Sequence, residues 1–178
     1  KYYNWTEDKA VTLDSDVSLG GAPAIENGKI YVTYDASFGG KLKSFDFQGN
    51  QLWSQQKVSS STAAPTVYND KIVHVGSQQN NISVFEADTG NQIWEINWSE
   101  GGAKSSGSFI EDSVAVRAGN IFLPDRNGSL FKLDLTTGSV VDSFAFSLGI
   151  EAGVSIANNT VYVPRDRGEL SALNTTTM

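Results

Sequence analysis

Short runs of β-branched, aliphatic and aromatic residues recur along this chain, and Asn, Asp and Gly turns separate them. Ile30-Tyr31-Val32, Ile72-Val73-His74, Ile121-Phe122-Leu123 and Val161-Tyr162-Val163 begin 42, 49 and 40 positions apart. Seven residues before each stand Pro23, Pro65, Val114 and Val154, each opening a further short segment. Downstream follow Leu42–Phe45, Ile82–Phe85, Leu130–Leu133 and Leu170–Leu173. A fourth strand is expected at Gln51-Leu52-Trp53, Gln92-Ile93-Trp94 and Val140-Val141. The intervening Asn27-Gly28, Asn69-Asp70 and Asn127-Gly128 pairs are hairpin turns, and no segment holds a helical period. The chain reads as all-β: a β-propeller of four four-stranded antiparallel blades, in units of about 20–57, 62–98, 112–146 and 152–178 plus 1–6.

The last unit is split. It stops at Asn174–Met178, where the turn before an outer strand belongs, while Lys1-Tyr2-Tyr3-Asn4-Trp5 resembles an outer strand with no blade before it. The N-terminal strand is therefore expected to complete the fourth blade. Three arrangements satisfy that pattern: a self-closed four-bladed ring, two chains exchanging strands in an eight-bladed ring, or a fragment of a longer seven- or eight-bladed propeller. An open outer edge invites strand addition, so a partner strand is expected there.

Charge and composition narrow the function classes. With 13 Lys and Arg against 20 Asp and Glu, the net charge of -7 and the lack of a basic run argue against a nucleic-acid partner. No cysteine is present, which removes disulfides, thiolate catalysis and Cys-ligated metals. No apolar run is long enough for a membrane span. Asn-x-Ser/Thr sequons at Asn4, Asn81, Asn97, Asn127, Asn158 and Asn174 give a lean toward export, hence an extracellular, cell-surface or periplasmic location.

Val84 to Trp94 is the clearest copy of the repeat, with Gly90 expected at positive φ in the turn and Trp94 supplying a flat apolar body for packing. It resembles the tryptophan-docking repeat of pyrroloquinoline quinone (PQQ)-like β-propellers, roughly A-x-D-x-x-T-G-x-x-x-W, with Thr89, Gly90 and Trp94 in place and Val84 and Glu86 standing for the Ala and Asp. Ser44 to Trp53 is one residue shorter, with Asp46, Gly49 and Trp53. Lys132 to Asp142 keeps Asp134, Thr137 and Gly138 but carries Asp142 at the Trp position. The resemblance implies that Trp53, Thr89, Gly90, Trp94 and Gly138 dock neighbouring blades. It also implies a family that holds both quinoprotein dehydrogenases with PQQ and Ca²⁺ and cofactor-free scaffolds. No residue here matches the family's catalytic Asp or calcium ligands, so no catalytic, cofactor or metal residue is assigned and no cofactor is expected.

Asp14-Ser15-Asp16 and Asp125–Gly128 are the nearest approach to an oxygen-ligand loop, yet neither has EF-hand spacing, and both read as solvated turns. His74, the sole histidine, lies in a strand without a metal-binding or triad partner and reads as structural. The irregular loop Ser99–Asp112 lengthens one inter-blade connection, and inserted loops often map to a binding face. Trp98, Lys104, Phe109 and, in a second irregular hairpin, Phe38 are the candidate partner surface. The expected function is a non-enzymatic exported or cell-surface propeller that binds a protein partner or itself. The alternatives are a piece of a PQQ/Ca²⁺-dependent dehydrogenase and a carbohydrate-binding propeller.

Overall fold

The structure, a computed structural model, describes residues 18–35, 39–58, 60–76, 80–98, 113–150 and 152–178. These form four antiparallel sheets, each a blade. Blade 1 contains β1 (Ser18–Leu19), β2 (Ala24–Glu26), β3 (Lys29–Asp35), β4 (Gly40–Asp46) and β5 (Gln51–Val58). β1 and β2 both pair with β3, at Ser18↔Asp35 and Ala24↔Tyr31, so they are two pieces of one inner strand. Blade 2 runs β6 (Thr66–Tyr68), β7 (Lys71–Gly76), β8 (Asn81–Glu86) and β9 (Gln92–Asn97). Blade 3 runs β10 (Ala115–Arg117), β11 (Asn120–Asp125), β12 (Ser129–Asp134) and β13 (Val140–Ala145). Blade 4 has three described strands, β14 (Ser155–Ala157), β15 (Thr160–Arg165) and β16 (Glu169–Asn174). The expected fourth strand of blade 4, at residues 1–6, lies outside the described residues.

The inner hairpins of blades 1 to 3 turn in two residues, because Asn27-Gly28, Asn69-Asp70 and Ala118-Gly119 all adopt positive φ. That geometry matches the right-handed twist of the flanking strands. Gly, Asn and Asp accept it at little cost, whereas Ala118 at φ 48 carries the Cβ penalty of the left-handed region. The outer pairs share another irregularity: the register slips at Ser44/Phe45, Val84/Phe85 and Lys132/Leu133. The residues facing Ser44, Val84 and Lys132 across these bulges are Trp53, Trp94 and Asp142.

The core lies between blades. Tyr31, Leu42 and Val58 of blade 1 meet Ile72, Phe85 and Ala87 of blade 2. Val73, Ile82 and Val84 meet Ile121, Leu123 and Leu133 of blade 3. Phe122 and Leu130 meet Val161, Val163 and Met178 of blade 4. Inner strands pack in the order β2–β6–β10–β14, and no comparable packing joins β14 to β2. A blade has two apolar faces and each needs a neighbour, so the four form an arc whose interior joints are satisfied.

Candidate functional site

The turn after each third strand is organised by one polar side chain. Asp134 Oδ1 accepts from the backbone N–H of Thr136 and Thr137 and from the Thr137 hydroxyl, at 2.9, 2.8 and 3.0 Å. Asp46 accepts from the N–H groups of Gln48 and Asn50 and from the Asn50 amide. These bonds favour the charged carboxylates and hold both acids below their ordinary pKa. In blade 2 the longer Glu86 accepts the Thr89 hydroxyl at 2.6 Å, and in blade 4 Asn174 Oδ1 accepts from Thr176 N–H at 2.8 Å. Substitution by Glu or Asn thus leaves the turn standing.

Each turn presents a carbonyl to the preceding blade. The Trp53 indole donates to Ala87 O at 2.9 Å, and Gln55 Nε2 donates to Gly90 O at 2.7 Å. The Trp94 indole donates to Leu135 O at 3.0 Å. The rings lie flat on glycine: a Cβ on Gly90 would come within 2.6 Å of Trp53 Cε3, and one on Gly138 within 3.1 Å of Trp94 Cε3. Both glycines also have φ +73, so sterics and backbone require the same residue.

The third joint works differently, and the repeat pattern did not foretell how. Asp142 stands where Trp belongs, and its cross-strand partner Lys132 takes over. The buried Lys132 ammonium donates to Thr175 O at 2.8 Å and to Met178 O at 3.1 Å. These correspond to the carbonyls of Ala87 and Gly90 in blade 2, so one side chain does what Trp53 and Gln55 do together. Only the missing Trp signalled this in the sequence.

Trp98, expected at a partner surface, is instead core: it is 3% exposed and stands edge-on to Phe131 with centroids 4.9 Å apart. Its indole reaches Asp125 Oδ2 at 3.4 Å. Asp125 forms the expected hairpin turn, accepting Asn127 N–H at 2.8 Å, but its carboxyl is buried rather than solvated, and burial raises its pKa. His74 is buried in β7, its ring edge-on to Phe85. Phe38, Lys104, Phe109, the loop Ser99–Asp112 and Asp14–Asp16 lie outside the described residues.

The free surface is elsewhere. The outer edge of β16 has no paired strand among the described residues. Beside it a groove of about 340 Å³ is lined by Phe144 and Phe146 from blade 3 and by Arg165, Ser171, Ala172 and Leu173 from blade 4. The two Phe rings stand 4.9 Å apart, and the Arg165 guanidinium, paired with Glu169, lies 5.0 Å over Phe146. Among the described residues no three His, Asp or Glu side chains converge.

The family model described as outer membrane protein assembly factor BamB matches residues 4–147. The chain belongs to this BamB-like family of PQQ-type β-propellers. Among solved structures, this BamB-like chain is similar to BamB from Moraxella catarrhalis, with TM-score 0.70 and 20% identity over 89% of this chain and 47% of that one. Quinohemoprotein alcohol dehydrogenase from Comamonas testosteroni is similar at TM-score 0.65 and 16% identity, over 86% of this chain and 30% of that one. The computationally designed Ika4 protein is similar at TM-score 0.68 and 15% identity, over 93% of this chain and 99% of that one. At these identities the likeness shows the fold alone, and the BamB-like chain spans about half the length of the Moraxella protein. No curated protein matches it by sequence.

Proposed function

We propose that this BamB-like chain is a non-enzymatic protein-interaction scaffold, working without PQQ or Ca²⁺ in an exported compartment at the outer membrane. The observation that carries the reading is the aromatic groove of Phe144 and Phe146 beside β16, a strand whose outer edge is unpaired among the described residues, an arrangement that suits an extended polypeptide. Backbone groups along such an edge supply affinity for any strand, and the groove selects its side chains. The compartment follows from family membership together with the sequons. Among the described residues no helix is long and apolar enough to cross a membrane.

The test is direct. Purified protein titrated with PQQ and Ca²⁺ is expected to leave the quinone absorbance unchanged and to reduce no dye when given alcohols or sugars. Quinone binding with substrate oxidation would overturn the proposal in favour of the dehydrogenase reading. The carbohydrate reading loses Trp98, which is buried, and Phe38 lies outside the described residues.

A further inference from the structure

The outer strands β5, β9 and β13 each end a sheet, and among the described residues no strand lies beyond them. Open edges of this kind invite strand addition, and the three are blunted in different ways. In β5 the Gln55 amide donates to Gly90 O and the Gln56 amide to the Ser54 hydroxyl. In β9, Trp94, Ile96 and Asn97 are partly buried, and Glu95 accepts the Ser83 hydroxyl at 2.8 Å. β13 is exposed at all six positions, and Asp142 stands where Trp94 anchors β9 to the next blade. Exposure on this strand belongs to the circumference and not to one end of the arc. Val141, skipped by the register slip, is 56% exposed, and Leu52 and Ile93 at the matching slips of β5 and β9 are 47% and 39% exposed.

Ladder parity decides which backbone groups the edge of β13 offers. Phe146 N–H donates inward to Gly128 O at 2.7 Å. Backbone groups alternate in direction along an antiparallel strand, so Phe144 and Asp142, which face Leu130 and Lys132, also turn inward, while Ser143 and Ala145 turn outward. The outward Ser143 N–H is met by its own neighbour, since the Asp142 carboxylate accepts it at 2.8 Å. A side chain thus occupies a donor that an added strand needs, and Asp142 is the one charged residue of β13.

We infer that the outer edge of β13 is a strand-docking site capped by Asp142, and that it takes an extended polypeptide with Lys or Arg opposite Asp142 and an apolar residue opposite Phe144. Both positions fall at the non-hydrogen-bonded pairs of the new ladder, where facing side chains approach most closely. A cationic side chain draws the carboxylate off Ser143, whose N–H then donates to the partner's backbone. An acidic one leaves the cap in place and adds repulsion. Charge complementarity favours this occupant over a second copy of the chain, which carries a net charge of -7 and, paired antiparallel about Ser143, sets Phe144 rather than a cation against Asp142. The inference rests on the scaffold reading and names the chemistry of its partner.

The probe is a short labelled peptide of alternating Thr and Val in which Lys replaces the central Val. Titrated with the purified chain and read by fluorescence anisotropy, it is expected to bind saturably, and the same peptide with Glu at the centre to bind about tenfold more weakly. Ser143→Pro removes the outward N–H without taking a hydrogen bond from β12, so strand content by circular dichroism should hold while binding of the Lys peptide is lost. Asp142→Lys should reverse the preference, the Glu peptide then binding about tenfold more tightly than the Lys peptide. Undiminished binding to Ser143→Pro, or a Lys preference that survives Asp142→Lys, overturns the assignment of the edge, and so does a native chain that binds neither peptide. Light scattering that finds native chains paired and Ser143→Pro chains single gives the edge to a second copy and overturns the cationic partner. Quinone binding with substrate oxidation would remove the scaffold reading whatever the peptides do; without it, a lack of peptide preference removes only the docking edge.

Discussion

The joint between blades 2 and 3 and the joint between blades 3 and 4 solve one problem with different side chains. In the first, Trp94 covers Gly138 and donates its indole N–H to Leu135 O. In the second, Lys132 reaches from the adjacent strand and donates to Thr175 O and Met178 O. Both provide a donor for the turn carbonyl and cover for the turn. The Trp does so mainly with buried apolar area, the Lys mainly with charge-assisted hydrogen bonds and its aliphatic stem. A joint of this kind is therefore defined by the carbonyl that must be satisfied, and a donor from either outer strand meets the requirement.

The largest effect should come from removing the aromatic version. Trp94→Ala leaves a void over Gly138 and an unanswered Leu135 carbonyl, and is expected to cost about 3–5 kcal/mol, read as a lowered urea midpoint. Alkali should weaken the equivalent joint between blades 1 and 2. Tyr31, 6.1 Å from Trp53, has its pKa pushed up to about 12 by burial and, secondarily, by Asp88, Glu26 and Asp70. The unfolded chain ionises this group near 10 and the folded one near 12. Its contribution is thus complete below pH 10 and is lost as pH rises toward 12, by about 2–3 kcal/mol at 1.36 kcal/mol per unit. Denaturant curves at pH 9 and 11.5 should diverge in the native protein and much less in Tyr31→Phe.

Lys132→Met keeps the stem and removes the ammonium, so it isolates the hydrogen-bonding half of the third joint. A loss of about 2 kcal/mol is expected. Adding Asp142→Trp and Met178→Gly to Lys132→Val should return part of it by rebuilding the Trp version over a glycine, and a triple variant weaker than Lys132→Met would show that the two solutions are not interchangeable. The smallest change is a gain. Ala118→Asn relieves the left-handed backbone at φ 48 and should stabilise by about 0.5–1 kcal/mol, measured as a raised melting temperature. The Ala118 N–H that accepts no change in this substitution still donates to Tyr68 across the blade 2–3 joint.

The strand pattern was legible because side-chain alternation and turn chemistry are local. Asn27-Gly28 or Asn69-Asp70 between apolar runs marks a hairpin wherever it occurs, and the Thr89-Gly90…Trp94 spacing follows from one turn and one strand. Trp98 was misplaced for the opposite reason. It borders an irregular loop, and only the approach of Phe131 and Asp125 from the next blade shows that it is buried. Lys132 was passed over because a charged residue in a strand ordinarily points to water, and its carbonyl partners lie more than forty residues away. Asp125 misled in the same way: the turn is local, but the burial of its carboxyl is imposed by the neighbouring blade.

By itself the sequence determined four repeated antiparallel units and the turns within them, since backbone geometry at Gly, Asn and Asp and the two-residue period of a strand are properties of short segments. Tertiary structure alone decided which faces meet, which donor answers each turn carbonyl, and which positions stay uncovered. Those depend on distances between blades that no local pattern encodes.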